Sequence, residues 1–387
     1  MEVPQERERL QKRSSRAFDQ RLPQGLPALL ALRANIGSSP TTMRTGSVLA
    51  RLALILLPTL GGSSVQAKGP SYAALIVTAV DFEFRAVSDL LTERTEETFG
   101  GRQWAIGRFG HERFAVVRAG WGKAHAAAAT SAGIERYSPS IVVMAGVGGG
   151  ISPRHVSSGD IVIAKSTFQH DLGQVRAGSL ETWSPQTPLE KPYSGEFFQG
   201  DERLAKQSLT ALQTLRLSPW KLKAGCQCEP DGTLISGCTV DEIEIGRQRP
   251  IACIGNIATG DVFVVDPKAA AVVSWGTDAV AVDMETAAVA QEAATRGLPF
   301  LAVRVIADTV GSPFGETLYF CLKPLSGRRL SDVLRAILPV ISDYVSVTQT
   351  AANGDAFDER DYCLVAKNPA KLEKPSLPDL QHELRVR

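Results

Sequence analysis

The chain has 387 residues, of which 42 are basic and 41 are acidic, and 44% are hydrophobic. This charge balance argues against a protein whose overall field recruits nucleic acid or an anionic membrane, so neither partner is expected. The hydrophobic content is that of an ordinary globular protein and is sufficient for a full-sized core.

The N-terminal residues differ from the rest. Residues 1–42 are rich in Arg, Gln, Pro and Glu without an apolar period, and are predicted to be disordered or a mis-annotated extension ahead of Met43. Residues 43–67 combine a basic flank, a short apolar run and a small-residue cleavage site, which is typical of a signal peptide; a buried helix is the alternative. The apolar run is too short for a stable membrane anchor. We therefore expect export, to the periplasm or outside the cell.

From residue 73 onward, predicted strands alternate with predicted helices. Apolar runs rich in β-branched residues indicate buried strands, and apolar residues at helical spacing indicate helices. In chain order, the strands are predicted at 73–79, 103–107, 113–118, 141–145, 161–164, 254–258, 279–282 and 300–306. The helices are predicted at 81–91, 124–136, 199–216, 284–296 and 328–347. This alternation favours one α/β domain over 73–347, with a mostly parallel sheet covered on both faces.

Two segments fall outside this alternation. Residues 219–250 carry Gly, Pro and three of the six cysteines, and are predicted to be an inserted surface loop. Cys226, Cys228 and Cys238 could form a metal site, but their spacing is not that of common zinc sites and no His lies near. A disulfide-stapled loop is favoured, with the pairing left open among fifteen combinations. Residues 348–387 form a polar C-terminal tail that we expect to be loosely held.

Three carboxylates are candidates for chemistry because each is expected just past a strand end. They are Glu83, Glu285 and Asp308. In parallel α/β sheets, ligands bind beyond the carboxyl ends of the strands. Each residue alone could be a helix cap or a solvated acid, but together with a predicted glycine turn at 146–150 they indicate a site. The glycines do not indicate a dinucleotide site, because Pro153 disfavours the helix that would hold the pyrophosphate.

Seven segments in chain order carry a family resemblance. They are residues 78–83, 119–123, 145–150, 159–162, 259–263, 282–286 and 303–308. The chain resembles the 5′-methylthioadenosine/S-adenosylhomocysteine nucleosidases and their purine nucleoside phosphorylase relatives. The resemblance implies a nucleoside-phosphorylase-like three-layer fold, in which helices flank a central, mostly parallel mixed sheet. It also implies a homo-oligomer in which a neighbour's residues close the pocket, and no cofactor. The scattered histidines suggest no metal site.

The resemblance assigns roles that elementary chemistry supports. Asp308 matches the general acid that protonates N7 of the departing purine, which requires a raised pKa in a dry pocket. Glu83 matches the general base that deprotonates the attacking water. Glu285 would accept hydrogen bonds from the ribose hydroxyls, Met284 would pack against the sugar, and Phe263 would stack on the purine.

Further positions refine the predicted substrate. Gly148 is expected in the substrate-binding wall, and Arg304 could orient an acid, contact the ribose edge or form a structural ion pair. The chain has Ala307 and Val147 where the family usually has a Ser and a Ser or small polar residue. Each change removes one hydrogen bond. We therefore predict a purine nucleoside and leave its 5′ substituent open.

Hydrolysis is favoured over phosphorolysis by the first predicted turn. A phosphorylase needs an anion pocket for phosphate, whereas this turn offers Asp81 and Glu83. A carboxylate there repels phosphate and suits a water. A phosphate-dependent purine nucleoside phosphorylase remains one alternative. A non-catalytic nucleoside-binding protein on the same fold is the other, because a fold does not fix a function.

Overall fold

A computed structural model describes residues 72–152, 154–176, 179–182, 197–223, 225, 227–229, 232–236, 238, 241–274, 277–311, 315–347 and 357–363. All of these belong to one unit, Val65–Arg387. The predicted extension at 1–42 and the predicted signal peptide at 43–67 lie outside the described residues. Within the described residues, no helix is both long enough and apolar enough to span a bilayer.

A ten-stranded mixed sheet forms the centre of the fold. The strands of the described residues, including those of three separate two-stranded sheets (β7 with β8, β10 with β13 and β11 with β12), are β1 Tyr72–Thr78, β2 Thr92–Phe99, β3 Arg102–Phe109, β4 Glu112–Arg118, β5 Pro139–Gly150, β6 Ile161–Gln169, β7 Gly173–Arg176, β8 Ser179–Thr182, β9 Phe198–Gln199, β10 Trp220–Lys223, β11 Gln227–Cys228, β12 Leu234–Ser236, β13 Glu242–Ile245, β14 Ala252–Thr259, β15 Ala279–Asp283 and β16 Phe300–Thr309. The main sheet has the order β15-β14-β6-β16-β5-β1-β4-β3-β2, with β9 beside β6. Because β15 also pairs with β5, five of its strands close into a ring.

Helices cover both faces of this sheet. They are α1 Asp81–Ser88, α2 Lys123–Tyr137, α3 Glu202–Gln213, α4 Pro267–Ser274, α5 Thr286–Thr295 and α6 Gly315–Val347, with a short 3-10 helix at Glu359–Asp361. Successive residues of a strand point to opposite faces. Ile76 and Val143 accordingly join one hydrophobic core with α6, while Leu75 and Val142 join another with α2 and α5. The predicted α/β class, with helices flanking a mixed sheet, is confirmed.

The glycine run differs from its prediction. Residues 146–150 form not a turn but the last part of β5, and they pair in parallel register with residues 304–309 of β16. The prediction rested on the general preference of glycine for turns. Here the absence of side chains lets neighbouring groups approach the strand closely.

Strand β2, helix α4 and the first part of α6 were not predicted. Strand β2 is a largely exposed edge strand without apolar alternation. Helix α6 begins at Gly315 instead of 328 and contains Pro324 and Pro339. Proline interrupts helical hydrogen bonding, so the sequence pattern before Pro324 did not indicate a helix.

Disulfides hold the segments outside the alternating pattern. Within the predicted insertion, β10 pairs with β13 and β11 pairs with β12. Cys228 of β11 is bonded to Cys321 of α6, so the insertion is tethered to a helix rather than stapled only to itself. Cys238 is also disulfide-bonded, whereas Cys226 lies outside the described residues.

Part of the C-terminal tail is firmly attached to the sheet. Cys363 is bonded to Cys253 of β14, and its backbone N–H donates to the carbonyl of Ile254 at 2.8 Å. Cys363 is buried, with 1% of its surface exposed. The expectation of a loosely held tail is therefore wrong for residues 357–363. The prediction relied on the lack of an apolar pattern, whereas a disulfide and a buried contact attach this segment.

Candidate active site

A cleft opens at the carboxyl ends of four strands, β1, β5, β15 and β16. This is the position at which parallel α/β sheets bind ligands. Six of the seven residues proposed from the sequence line it. They are Glu83, Gly148, Phe263, Met284, Glu285 and Asp308. Arg304 is not in the lining and lies directly behind it.

Glu83 is held at the start of helix α1 by backbone donors. One carboxylate oxygen accepts the N–H groups of Ala79 and Val80, at 2.8 and 3.2 Å, and the other accepts that of Val147, at 2.8 Å. Only 1% of the residue is exposed. Burial raises the pKa of Glu83, and the positive charge of Arg304 and the three N–H groups oppose that rise. The net result is a raised pKa, which makes the Glu83 carboxylate a stronger proton acceptor than a solvated one, as a general base needs.

Gly146 explains why strand β5 ends in glycines. A Cβ atom at this position would lie 2.5 Å from Nη1 of Arg304 and 2.6 Å from Oε1 of Glu83. Both distances are far below normal contact, so no side chain fits. The glycine allows a carboxylate and a guanidinium to meet against the strand backbone.

Arg304 is fully buried and organises the acids behind the cleft. Its Nη2 lies 2.5 Å from Oδ2 of Asp283 and 3.2 Å from Oε2 of Glu285. Its Nε donates to Oγ1 of Thr286 at 3.1 Å, and its Nη1 donates to the carbonyl of Val147 at 3.0 Å. Of the contacts considered for Arg304, the structure shows buried ion pairs with two acids, and Arg304 does not line the cleft.

Glu285 faces the cleft from the end of strand β15. Its Oε1 accepts the backbone N–H of Gly122 at 2.9 Å, and Arg304 fixes its other oxygen. Burial raises the pKa of Glu285, Arg304 opposes this, and the neighbouring charge of Asp283 adds to it. The Gly120–Lys123 turn thus has a structural purpose, because it supplies an N–H donor that positions a cleft carboxylate.

Asp308 lies within strand β16, one residue before its end, rather than past it. The β16–β5 register shifts between Ile306 and Asp308, a local irregularity next to the cleft. Burial raises the pKa of Asp308 to about 6. Among the described residues, no basic side chain forms an ion pair with it, so only a backbone hydrogen bond at Asp308 itself opposes the effect of burial. Asp308 therefore favours the protonated form that a general acid needs.

Trp121, Tyr319 and Asp283 also line the cleft but were not proposed as site residues from the sequence. Phe263 is 46% exposed, and its ring packs edge-on against that of Tyr319, with centroids 6.1 Å apart. Burial raises the pKa of Tyr319, so its hydroxyl stays protonated and can donate. Trp121, 53% exposed, lines the opposite rim. Trp121 and Asp283 lie within the matched segments 119–123 and 282–286, which could have identified them. Tyr319 had no sequence signal, because its helix was missed.

Three loops are joined at the rim by a small charged cluster, Lys123, Asp171 and Asp261. The ammonium of Lys123 forms an ion pair with Asp171, and its backbone N–H donates to Oδ1 of Asp261 at 2.8 Å. The backbone N–H of Asp261 in turn donates to Oδ2 of Asp171 at 2.7 Å. This rim cluster connects the turn that holds Glu285 to the loop that carries Phe263.

Comparisons with known proteins identify proteins that are similar to this chain. The family model described as the Phosphorylase superfamily matches residues 73–321. The chain is 28% identical over 249 residues to a 5′-methylthioadenosine/S-adenosylhomocysteine nucleosidase of Marinomonas sp. (strain MWYL1), covering 64% of this chain and 90% of that protein. It is 28% identical over 242 residues to the nucleosidase of the same name from Geobacillus thermodenitrificans (strain NG80-2), covering 62% and 84%.

Solved structures share the fold. One is a 5′-methylthioadenosine/S-adenosylhomocysteine nucleosidase of Colwellia psychrerythraea 34H in complex with adenine, with a TM-score of 0.53 and 22% identity, covering 70% of this chain and 96% of that one. Another is the futalosine hydrolase of Helicobacter pylori strain 26695, with a TM-score of 0.54 and 19% identity, covering 69% and 97%. At these identities the likeness concerns the fold alone.

Proposed function

Because residues 73–321 match its model, the chain belongs to the Phosphorylase superfamily, and we propose that it hydrolyses the N-glycosidic bond of a purine nucleoside. The observation that carries this proposal is that Glu83 and Asp308, from two different strand ends, line one cleft. The relatives named as nucleosidases support the same reaction. The products are the free base and the free sugar.

The reaction needs a proton donor for the base and an acceptor for water. As the bond from C1′ to the purine breaks, positive charge develops on the sugar, as in glycoside hydrolysis. Asp308, with its raised pKa, gives its proton to N7 of the leaving purine. Glu83 takes a proton from the water that attacks C1′. One water is consumed, and its two hydrogens end on the base and on the new sugar hydroxyl once the carboxyl groups re-equilibrate.

The remaining cleft residues bind the substrate. Glu285, fixed by Gly122 and Arg304, accepts hydrogen bonds from the ribose hydroxyls. Met284 packs against the sugar, and the exposed ring of Phe263 stacks on the purine. Gly148 also lines the cleft, and its lack of a side chain lets strand β15 lie close to β5, since a Cβ there would lie 2.9 Å from the carbonyl of Val282.

Charge favours water over phosphate as the nucleophile. Glu83, Asp283 and Glu285 lie around a single buried guanidinium, that of Arg304. Burial raises the pKa of Glu83 and of Glu285, but these acids and Asp283 still surround Arg304, so its charge is not free to bind a phosphate dianion. A phosphorylase would need the opposite balance at the same place.

The test is an assay of base release. Purified protein is incubated with adenosine, inosine or 5′-methylthioadenosine, with and without phosphate, and the free base is quantified by chromatography. We expect base release without phosphate, and a fall in kcat of roughly 100- to 10,000-fold in Glu83→Gln and in Asp308→Asn. Asp343→Asn, at an exposed position on α6, is the matched control and should be unchanged.

Two outcomes would contradict the proposal. Strict phosphate dependence with formation of a sugar 1-phosphate would identify a phosphorylase. Nucleoside binding without base release, unaffected by either cleft substitution, would identify a binding protein.

We further propose that the protein is exported and forms a homo-oligomer. The disulfides Cys228–Cys321 and Cys253–Cys363 support an oxidising compartment. The exposed apolar side chains Val262, Phe263 and Val265 at the cleft rim support cover by a neighbouring subunit. Mass spectrometry of the mature N-terminus should find it just after Ala67, and light scattering should give a multiple of the subunit mass. An N-terminus at Met1 or a monomeric mass would refute the respective proposal.

A further inference from the structure

The insertion at residues 219–250 lies against the start of helix α6. Its β11–β12 hairpin is bonded to that helix through Cys228 and Cys321. Cys321 follows Tyr319 by two residues, and Tyr319 lines the cleft. The insertion therefore reaches the candidate active site through one short part of α6, residues 319–323, which we call the Tyr319 segment.

The insertion is braced well enough to act as a support. Within the hairpin, the backbone N–H of Glu229 donates to the carbonyl of Thr233, and that of Gly232 donates to the carbonyl of Glu229, both at 2.8 Å. Just before the insertion, the carbonyl of Ser218 accepts a hydrogen bond from the buried guanidinium of Arg329, on α6. The insertion is thus fixed to α6 at its base as well as at its hairpin.

The turn of the hairpin rests directly on the backbone of α6. A Cβ atom at Gly232 would lie 3.2 Å from the carbonyl oxygen of Phe320 and 3.2 Å from Cδ of Pro324. Because Pro324 has no N–H, the carbonyl of Phe320 lacks the donor that a helix would normally provide. The Tyr319 segment is therefore joined to the rest of α6 by a weakened stretch of helix, and the hairpin and the disulfide support it from outside.

On its other side, the Tyr319 segment faces the cleft. The ring of Tyr319 packs edge-on against that of Phe263, with centroids 6.1 Å apart, and this is the one aromatic contact of Phe263 among the described residues. The ammonium of Lys323 lies 5.9 Å from the ring centroid of Phe82, beside Glu83. Three backbone N–H groups hold Glu83 independently of α6. A shift of the segment should therefore disturb Phe263 more than Glu83.

From this arrangement we infer that the insertion is a positioning element for substrate binding. Through the Cys228–Cys321 bond it holds Tyr319 against Phe263, and so fixes the ring that stacks on the purine. Tyr319 is a positioning residue in this scheme, because it acts through Phe263. The nature of the ligand rests on the proposed function, whereas the link between the insertion and the cleft does not.

The experiment removes one disulfide at a time. The double substitution of Cys228 and Cys321 by alanine should raise KM for 5′-methylthioadenosine by about three- to tenfold and leave kcat within about twofold. The matched control is the same double substitution of Cys253 and Cys363, which removes the other long-range disulfide outside the cleft and should leave KM unchanged. An equal change of KM in both variants, or none in the first, would overturn the inference.

Substitutions at Tyr319 test whether the insertion acts through this side chain. Tyr319→Ala should raise KM at least as much as loss of Cys228–Cys321, and combining the two should change KM by less than about twofold further. Tyr319→Phe keeps the ring and should stay within about twofold of the wild type. Additive effects of the two changes, or equal losses in the Phe and Ala variants, would contradict the inferred path through the ring.

Hydrogen exchange of the ligand-free protein separates failure of the inference from failure of the proposed function. Loss of Cys228–Cys321 should speed amide exchange in residues 319–323 and in the loop 260–266 that carries Phe263, whereas loss of the other disulfide should not. Gly232→Ala, which crowds the hairpin against α6 with the disulfide intact, should have the same effect. If exchange responds in this way but the wild type hydrolyses no nucleoside, only the proposed function fails. If the wild type hydrolyses nucleosides and exchange near Phe263 stays unchanged in both variants, the inference fails.

Discussion

The cleft and the elements outside it are held by different interactions. Around the cleft, buried carboxyl groups are fixed by backbone N–H groups and by one guanidinium, that of Arg304. The insertion and residues 357–363 are instead attached through Cys228–Cys321 and Cys253–Cys363. The first region should therefore respond to protonation and to loss of a charge, and the second to reduction. Four predictions test this difference between ionic and disulfide stabilisation.

The largest effect on stability is expected from Arg304→Met. Methionine fills much of the same volume but leaves Asp283 and Glu285 buried without their counter-charge. Breaking a buried ion pair in this way typically costs about 3–5 kcal/mol. Urea unfolding should show that loss, whereas Arg304→Lys, which retains a charge, should lose less. Equal stability of the methionine variant and the wild type would mean that Asp283 and Glu285 are protonated at the pH of the measurement, and that the charge of Arg304 does not hold the cleft together.

The next largest effect is expected from removing the bond between Cys253 and Cys363. The double substitution to alanine should lower the free energy of unfolding by about 2–4 kcal/mol while leaving kcat unchanged, because neither residue lines the cleft. The corresponding loss of Cys228–Cys321 should also alter KM, since Cys321 lies two residues from Tyr319 on α6. If the first variant folds but is inactive, the outer elements and the cleft are not independent.

A smaller effect should appear in the pH dependence of Asp308. Folding raises the pKa of this carboxyl from 3.8 to about 6, so the native state binds more protons than the unfolded chain between these values. Its contribution to stability therefore falls as pH rises through that window. Asp308→Asn should be more stable than the wild type at pH 8 by roughly 1–3 kcal/mol and no more stable at pH 3.

The activity of the wild type should also depend on the protonation of Asp308. The wild-type kcat/KM should decline as pH rises through about 6, because Asp308 then loses the proton that the leaving purine requires. Urea unfolding at pH 3 and pH 8 measures the effect on stability, and a pH–rate profile measures the effect on activity. If Asp308→Asn is less stable than the wild type at pH 8, Asp308 makes favourable contacts in its ionised form.

The smallest effect is expected at the rim cluster. Asp171→Asn weakens the ion pair with Lys123, which is only partly shielded from solvent, by roughly 1 kcal/mol. We expect about a fivefold rise in KM with little change in kcat, since the cluster positions the loops and touches no reacting atom. Asp343→Asn, at an exposed position on α6, again serves as the control. A change in kcat alone would indicate a more direct role.

The sequence was most informative where strands are buried on both faces. Strands β1, β5 and β16 have continuous apolar runs, and the order of strands and helices was enough to expect Glu83, Glu285 and Asp308 at one edge. Strand β2 was missed because its side chains are mostly polar and exposed, as suits an edge strand. The start of α6 was hidden by Pro324, and with it Tyr319.

Other features depend on contacts that no sequence pattern reveals. The glycine run at 146–150 was taken for a turn, but Gly146 is needed because Glu83 and Arg304 both lie where its Cβ would be. The partner of Cys228 lies 93 residues away and could not be chosen from fifteen pairings.

The two long-range disulfides have a topological consequence. The loops that they close, from Cys228 to Cys321 and from Cys253 to Cys363, overlap along the chain. A single peptide-bond cleavage anywhere between Cys228 and Cys363 therefore leaves the two pieces covalently joined. Phe263, Glu285 and Asp308 all lie within this span, so a protease that nicks the molecule there once cannot separate the fragments that carry the site.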